Sequence, residues 1–419
     1  MKKNKAKHLF NFIVCGVAVS FMILAVLMVT SPNFPHLQDE MSENFENLSL
    51  DNILTEEYFN KYPNQTFNLV FGDKEYRFNK NSGNSIEKLK EELYIEPIDA
   101  KVIFNPNSEE VFIIQDEVVG QELDTDNLTL YLKNSIKNKT TENIVIPTNA
   151  VAPKQTKQQL ENGITLRSEF STSIVGSQAG RKHNVSYGLS AFNGMIVLPD
   201  EEVSFNKVTG DRNFDSNYQD ATVIVNGEYV QGKGGGVCQA STTLYNALIR
   251  ADVEILEVHN HSLPVKYVPL AFDAMVNDTT SDLVFKNNTG SPLYILTSAT
   301  DEKVTVKIFG APLEDGLKID TRTEKIREIK KGDKIIPDTE GKYSKYVTFK
   351  GEYYRVKYPQ NGQECVGYLL YYKNGELVNE KKVRHVYYQG QDGIIIEGTE
   401  DVYEGVTLPT NTVNFITGN

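Results

Sequence analysis

The densest apolar stretch of the chain runs from Leu9 to Val29, interrupted only by Asn11 and Ser20, with Gly16 as a weak helix breaker. A membrane-spanning helix needs about 20 such residues. Lys2, Lys3, Lys5 and Lys7 precede the run and Asp39, Glu40 and Glu43 follow it. Residues 1–31 are therefore expected to form a cytoplasmic tail and a single-pass membrane anchor, with the C-terminal bulk extracellular. A cleaved signal peptide fits less well, because the run exceeds an h-region of about 7–15 residues and no A-x-A-like site follows. Residues 32–58 are polar and acidic and read as a stalk.

From Gln65 the apolar positions alternate, and TFNLVFGDKEYRF holds Gly72-Asp73 at its centre, which predicts a hairpin. Ile86, Leu89 and Leu93 follow Ser85 at helical spacing, as Leu128, Tyr131 and Leu132 follow Asp124. Between them lie Ala100 to Phe104 and the apolar run from Val111 to Val119, so residues 59–150 read as an α+β domain. Lys154 to Asn162 reads as a connector, and a second domain is expected over 163–310. His183 to Phe192 suits a helix with His183 exposed, and Met195–Leu198 and Val203–Asn206 suit strands. VIVNGEYV predicts a hairpin about Asn226-Gly227. Leu244, Ala247, Leu248 and Ala251 share one helical face, and Val253 to Val258 is a strand. Leu283–Lys286 and Leu293–Leu296 read as a further hairpin about Asn287 to Pro292, and Val304 to Ile308 as a strand. The expected fold class is α+β, with a mainly antiparallel sheet and a central cysteine-bearing helix in this domain.

The texture changes again over 325–400, which is first charge-rich and then rich in tyrosine and short alternating strands, with Asn374-Gly375 at a hairpin. A small all-β C-terminal module is expected there. Tyr353, Tyr354, Tyr371, Tyr372, Tyr387 and Tyr388 would serve sheet packing or, where exposed, offer ring faces to sugars.

Chemistry concentrates in Gly234-Gly235-Gly236-Val237-Cys238-Gln239-Ala240-Ser241, where a glycine loop ends on a cysteine in the first turn of a helix. Unpaired amides and the positive end of the helix dipole favour the thiolate there, and Lys233 would add to the effect. The glycines would let backbone approach a substrate closely. His259 and His261 follow at the end of the next strand, on one face and about 6.5 Å apart, so only one of them meets the thiol directly. Cysteine with histidine is the minimum apparatus for acyl transfer: the thiolate attacks a carbonyl and the imidazolium protonates the leaving amine. A buried structural cysteine is the bland alternative. Zinc ligation by Cys238, His259 and His261 lacks a fourth ligand, and no metal or cofactor is expected.

The chain of 419 residues has a net charge of −13, which excludes a nucleic-acid binder that works through a basic surface. Cys15, Cys238 and Cys365 are its cysteines, too few for a disulfide framework, and a Cys238–Cys365 bridge would have to join two different predicted domains.

The run from Phe170 to Phe309 resembles the VanW domain of bacterial cell-surface proteins. The resemblance rests on FNGMIVLPDEEVSFNKVTGDR, YQDATVIVNGEYVQGKGGGVCQASTTLYNAL, VHNHSLPVKYVP and DLVFKNNTGSPLYI. Some members are L,D-transpeptidases that crosslink peptidoglycan stem peptides. The resemblance implies a nucleophilic role for Cys238 and a base within His259-Asn260-His261, with His261 preferred. It also implies oxyanion or substrate contacts from the loop Gly234, Gly235, Gly236, Val237 and Gln239. Many members carry a basic residue where this chain has Val258, which leaves nearby substrate contacts open. Residues 59–150 resemble the peptidoglycan-binding domain that often precedes VanW, and GYLLYYKNGELVNEKKVRHVYYQGQDGIIIEGTE resembles the end of a G-five domain. The function implied is an L,D-transpeptidase making 3–3 crosslinks through a cysteine acyl-enzyme. A cysteine endopeptidase or amidase would use the same residues, and a noncatalytic wall-binding scaffold would need none of them.

Overall fold

The computed structural model describes residues 48–408 apart from 83–84, 213 and 226–227, together with 414–415. The apolar run Leu9–Val29, Cys15, residues 32–47 of the expected stalk and the Asn226-Gly227 turn lie outside the described residues. Among those described, no helix is long and apolar enough to cross a membrane.

The chain divides into two compact units, one made of residues up to Glu96 plus Gly120–Val151, the other of Pro97–Val119 plus Ala152 onward. In the first, short helices Leu50–Ile53 and Glu56–Lys61 bury Leu50, Ile53, Leu54, Tyr58 and Phe59. Residues 48–58, expected as the end of the stalk, thus form helices that contribute Leu50, Ile53, Leu54 and Tyr58 to this core, because a leucine, isoleucine and aromatic set inside a polar stretch still finds an apolar partner surface. Phe67–Phe71 pairs with Lys74–Phe78 around Gly72, whose φ of +54° suits glycine, and with Asn143–Val145 in parallel. Helices Ile86–Leu93 and Thr125–Asn138 are capped by Ser85 and Asp124 side chains, as their sequences predict. Leu128 and Leu132 are buried, but Tyr131 faces outward.

The expected boundary of 59–150 does not hold at Pro97–Val119. This segment forms a hairpin, Lys101–Phe104 with Phe112–Gln115, that belongs to the second unit. Phe104 and Phe112 stack at 5.0 Å and both meet Tyr294 edge-on at 5.3 Å, while Phe112 also meets Phe309 at 5.1 Å. The second unit likewise begins before 163, with the helix Lys157–Gly163 in place of a plain connector.

The second unit is built on a four-stranded antiparallel sheet in the order Thr165–Ser173, Lys303–Gly310, Leu293–Ala299, Met195–Val197. The cysteine helix Val237–Arg250 packs on Thr165–Ser173 and Lys303–Gly310, and the helix Ala179–Ser190 packs beside it. Leu244, Ala247, Leu248 and Ala251 enter one core with Val304, Val306, Ile308, Phe272 and Phe285. A second sheet orders Glu202–Ser204, Val284–Lys286, Glu254–Glu257. Val284–Lys286 and Leu293–Ala299 thus lie in different sheets and are not the expected hairpin. Asn287 makes the switch: it is fully buried, its amide donates to Val197 and Ser291 carbonyls, and its oxygen accepts from the Thr289 amide.

The all-β part starts at Leu317, earlier than expected. Leu317–Ile329, Gly362–Lys373 and Glu376–Tyr388 form one antiparallel sheet, turning at Asn374-Gly375. A second sheet orders Asp333–Pro337, Gly393–Glu397, Tyr353–Lys357, Asn414–Phe415. Ile319 and Leu369 of the first sheet join the same core as the cysteine helix. Of the six tyrosines singled out by sequence, Tyr354 and Tyr388 are buried, Tyr353, Tyr371 and Tyr372 are half-buried, and Tyr387 is exposed. Tyr354 and Tyr388 thus serve packing and offer no ring face to solvent.

Replacing Asn287 by alanine strips donors from two carbonyls inside the protein. The variant is expected to lose on the order of 3 kcal/mol, read as a lower denaturant midpoint at unchanged slope.

Candidate active site

The cysteine helix starts from Gly236, whose φ of +110° is open to glycine and strained for any other residue. The loop glycines are required by packing against the protein itself. A Cβ on Gly234 would sit 3.3 Å from Arg212 carbons, one on Gly235 2.7 Å from the Thr222 carbonyl, and one on Gly236 3.0 Å from Arg181 and Val185. Packing within the protein is thus a sufficient cause for these glycines: they let the loop lie close on its neighbours and lead into the helix.

Cys238 is the second residue of that helix, half-buried, with its sulfur 3.3 Å from the Val276 carbonyl. Burial alone pushes its thiol up, but the hydrogen bond and charge of His261 outweigh this and hold it below the ordinary cysteine value, with a smaller contribution from the charge of Arg212. The contributing cation is therefore Arg212, buried and paired with Asp278 at 2.9 Å, whereas the expected Lys233 side chain is exposed.

His261 and His259 part company because the strand ends at Glu257. His259 turns to Glu257 at 2.8 Å with its side chain 41% exposed, whereas the His261 side chain is 11% exposed. His261 Nδ1 lies 2.7 Å from Asp273 Oδ2, and its backbone amide donates to the same oxygen at 2.8 Å. Nδ1 is thus committed to the carboxylate, which leaves Nε2 for the thiol. Burial pushes the imidazole down, but the bonds to Asp273 and Cys238 reverse this and raise it to about 9. Asp273 is fully buried; burial pushes its carboxyl up, and the bonds from His261 and Tyr388 more than compensate, leaving it below the usual range. Each of these directions favours the ionised form relative to the free group: a more acidic thiol, a more basic imidazole and a more acidic carboxyl in a row.

Sequence reasoning missed Asp273. Its signal is a lone acid in the apolar run VPLAFDAMV, a position that burial forbids unless donors converge on it. Tyr267 was also missed. Burial raises its phenol and the nearby charge of Cys238 raises it further, while its hydroxyl bonds to Thr242.

The remaining loop residues divide. The Val237 amide donates to the Gly234 carbonyl at 3.1 Å, the Gln239 amide to the Gly236 carbonyl at 2.8 Å and the Gly234 amide to the Gln219 carbonyl at 3.3 Å, so these three members of the expected oxyanion set are already engaged within the protein. The Gln239 side chain is buried and structural, bonding to Thr172, to the Ser173 carbonyl and to Arg181. Val258 packs against the main core. Cys365 is a free thiol like Cys238, and burial pushes it up to about 11.

A cysteine at a glycine-capped helix start, bonded to a histidine held by a buried carboxylate, defines a cysteine–histidine–aspartate site. Residues 180–309 match the family model described as VanW like protein, so the chain carries a VanW-like domain. It is 26% identical over 320 residues to the Bacillus subtilis protein named "Uncharacterized protein YoaR", covering 76% of this chain and 97% of that one. It is also 26% identical over 139 residues to the vancomycin B-type resistance protein VanW of Enterococcus faecalis, covering 32% of this chain and 50% of that one. Among solved structures, the G5 domain of IgA1 protease aligns at TM-score 0.15 and 15% identity over 21% of this chain and 96% of that one. The HP0197-G5 structure aligns at TM-score 0.13 and 13% identity over 20% of this chain and 97% of that one.

Cys238 should be alkylated by iodoacetamide at a rate that stays high well below pH ~8.5, while Cys365 reacts slowly until the protein is denatured. A Cys238 rate that climbs only near that pH would remove the activated thiol. His261→Ala is expected to return Cys238 to free-thiol behaviour and His259→Ala to change it little, measured as the pH dependence of alkylation at the Cys238 peptide. Equal profiles in the two variants would take histidine out of the site.

Proposed function

We propose that this protein is an L,D-transpeptidase of peptidoglycan acting through a cysteine acyl-enzyme. The observation that carries the proposal is the hydrogen-bonded row Cys238, His261, Asp273 at the start of the cysteine helix. The row supplies a nucleophile that needs no external base, and a proton donor already in place for the leaving amine. The VanW-like domain and the likeness to a vancomycin B-type resistance protein support a cell-wall substrate.

In this reading the Cys238 thiolate attacks the carbonyl of the diamino acid at the third stem position and a C–S bond forms. The C–N bond to the terminal D-alanine breaks, and the His261 imidazolium gives its proton to the departing amine. The side-chain amine of a neighbouring stem then attacks the thioester carbonyl and passes a proton to His261; the new C–N bond forms, the C–S bond breaks with the Cys238 thiolate as leaving group, and the thiolate–imidazolium pair is restored. The amides of Gly236 and Cys238 are the candidate donors to the tetrahedral oxyanion. Asp273 holds the imidazole and does not exchange protons. The apolar run Leu9–Val29 would tether the enzyme to the cell membrane with this unit outside.

Incubation with disaccharide-tetrapeptides, followed by mass analysis, is expected to give a crosslinked dimer that is lost in Cys238→Ser. Hydrolysed tripeptide alone would make the enzyme a hydrolase, and no Cys238-dependent product would leave a binding scaffold. Acylation should have two limbs in pH. It falls at low pH as the thiolate gains a proton, and falls again through about 9 as the imidazolium loses the proton that the leaving amine needs.

A further inference from the structure

One of the two residues that fix the carboxylate of the site, Tyr388, comes from outside the VanW-like match, which ends at 309. Tyr388, the last residue of the strand Glu376–Tyr388, is fully buried, and its hydroxyl lies 2.5 Å from Asp273 Oδ1. The same hydroxyl accepts the Ala271 amide at 2.9 Å, so its single proton is committed to the carboxylate. Asp273 is thereby gripped from both sides, Oδ2 by His261 and Oδ1 by Tyr388.

The surrounding backbone is held by the same sheet. Arg384 donates to the carbonyls of Ala271 and Asp273, and Thr323 to that of Leu270 at 2.6 Å. The Gln389 amide donates to Ser262 at 2.9 Å, one residue from His261, and Asn260 donates to the Tyr387 carbonyl at 3.1 Å. Gly367 leaves room for this contact, since a Cβ there would come within 3.1 Å of Phe272 and 3.2 Å of Ala271.

We propose that the catalytic site is composite: Tyr388 of the C-terminal sheet is a positioning residue that orients Asp273 on His261, and the VanW-like domain is catalytically incomplete without that sheet. The proposal rests on the cysteine–histidine reading above and extends the site beyond the second domain expected over 163–310. Tyr388 acts through Asp273 and touches neither thiol nor substrate. The other titratable groups facing Asp273 are Tyr245 of the cysteine helix, Tyr267, and Cys365 and Arg384 of the sheet.

The test is the pH profile of iodoacetamide alkylation in the full chain, read by mass at the Cys238 peptide. Tyr388→Phe removes the hydroxyl and keeps the ring, so Asp273 loses the donor that fixes its second oxygen and holds the imidazolium less well. The midpoint of Cys238 ionisation is expected to rise by roughly one pH unit. Tyr371→Phe, which removes a hydroxyl elsewhere on the same sheet, is expected to leave it in place. Gly367→Ala, which presses on Phe272 without touching Tyr388, should move it upward too and decides the matter if Tyr388→Phe does not melt cooperatively. An unmoved midpoint in folded Tyr388→Phe, or in Gly367→Ala where the former does not fold, overturns the proposal. Asp273→Asn separates the two levels: if it also leaves the midpoint unmoved, the carboxylate plays no part and the site reading itself falls. If Asp273→Asn shifts the midpoint and Tyr388→Phe does not, only the composite site is lost.

Discussion

A carboxylate sealed from water is the constraint around which the second unit is arranged. Asp273 is fully buried, and an ionised carboxylate in such surroundings costs several kcal/mol unless donors meet it. Three do: the amide and imidazole of His261 and the hydroxyl of Tyr388. Each comes from a different part of the local structure, so satisfying one charge fixes a loop, a ring and a strand at once. The loop between His261 and Asp273 is short and must return on itself to bring amide and carboxylate together, and Ala271 takes a φ of +71° to do so. A non-glycine residue in that region is strained, and Arg384 and Tyr388 hold it there through the Ala271 carbonyl and amide.

The Cys238 thiol is aimed by a different device. The cysteine helix is buried along most of its length, including Ser241, Thr242, Thr243 and Asn246, whose side chains bond to nearby backbone or to Thr172. Ser241 reaches the Ala274 carbonyl and Thr242 receives the Ala274 amide, so the helix is stitched to the residue directly after Asp273. Thiol and carboxylate are therefore referenced to one another through rigid backbone, with His261 filling the gap between them. Such placement by packed elements holds thiol and imidazole within hydrogen-bond reach of one another, the tolerance that the proposed proton transfer requires.

The parts of this arrangement that were legible in the sequence are those written locally. The glycine loop and the spacing Leu244, Ala247, Leu248, Ala251 mark the helix start and its buried face, and the cysteine in its first turn follows directly. Ser85 and Asp124 announce their helices for the same reason, since a cap is a contact within one turn. What the sequence hides is pairing across distance. Val284–Lys286 and Leu293–Ala299 look like partners because they are adjacent, yet one buried asparagine sends them to different sheets. Phe104 and Phe112 read as part of the first α+β segment because nothing local names Tyr294 and Phe309 as their neighbours. His259 and His261 look equivalent by alternation until the strand stops at Glu257. Asp273 carried a signal in its apolar setting, but its second partner, Tyr388, sat among several tyrosines that periodicity alone could not rank.

The two free cysteines show how far a single carboxylate can act in opposite senses. Cys365 sits in a closed apolar cluster with Ala271, Val386 and Tyr388, where burial raises its thiol and the negative charge of Asp273 raises it further. Cys238 is subject to burial as well, yet it ends below the ordinary value because His261 stands between it and the same carboxylate. Acting across space, Asp273 opposes a second negative charge; acting through an imidazole that it keeps protonated, it supports one. The opposite directions of the two thiols trace to that imidazole, which leads the downward causes at Cys238, whereas burial and the charge of Asp273 lead at Cys365.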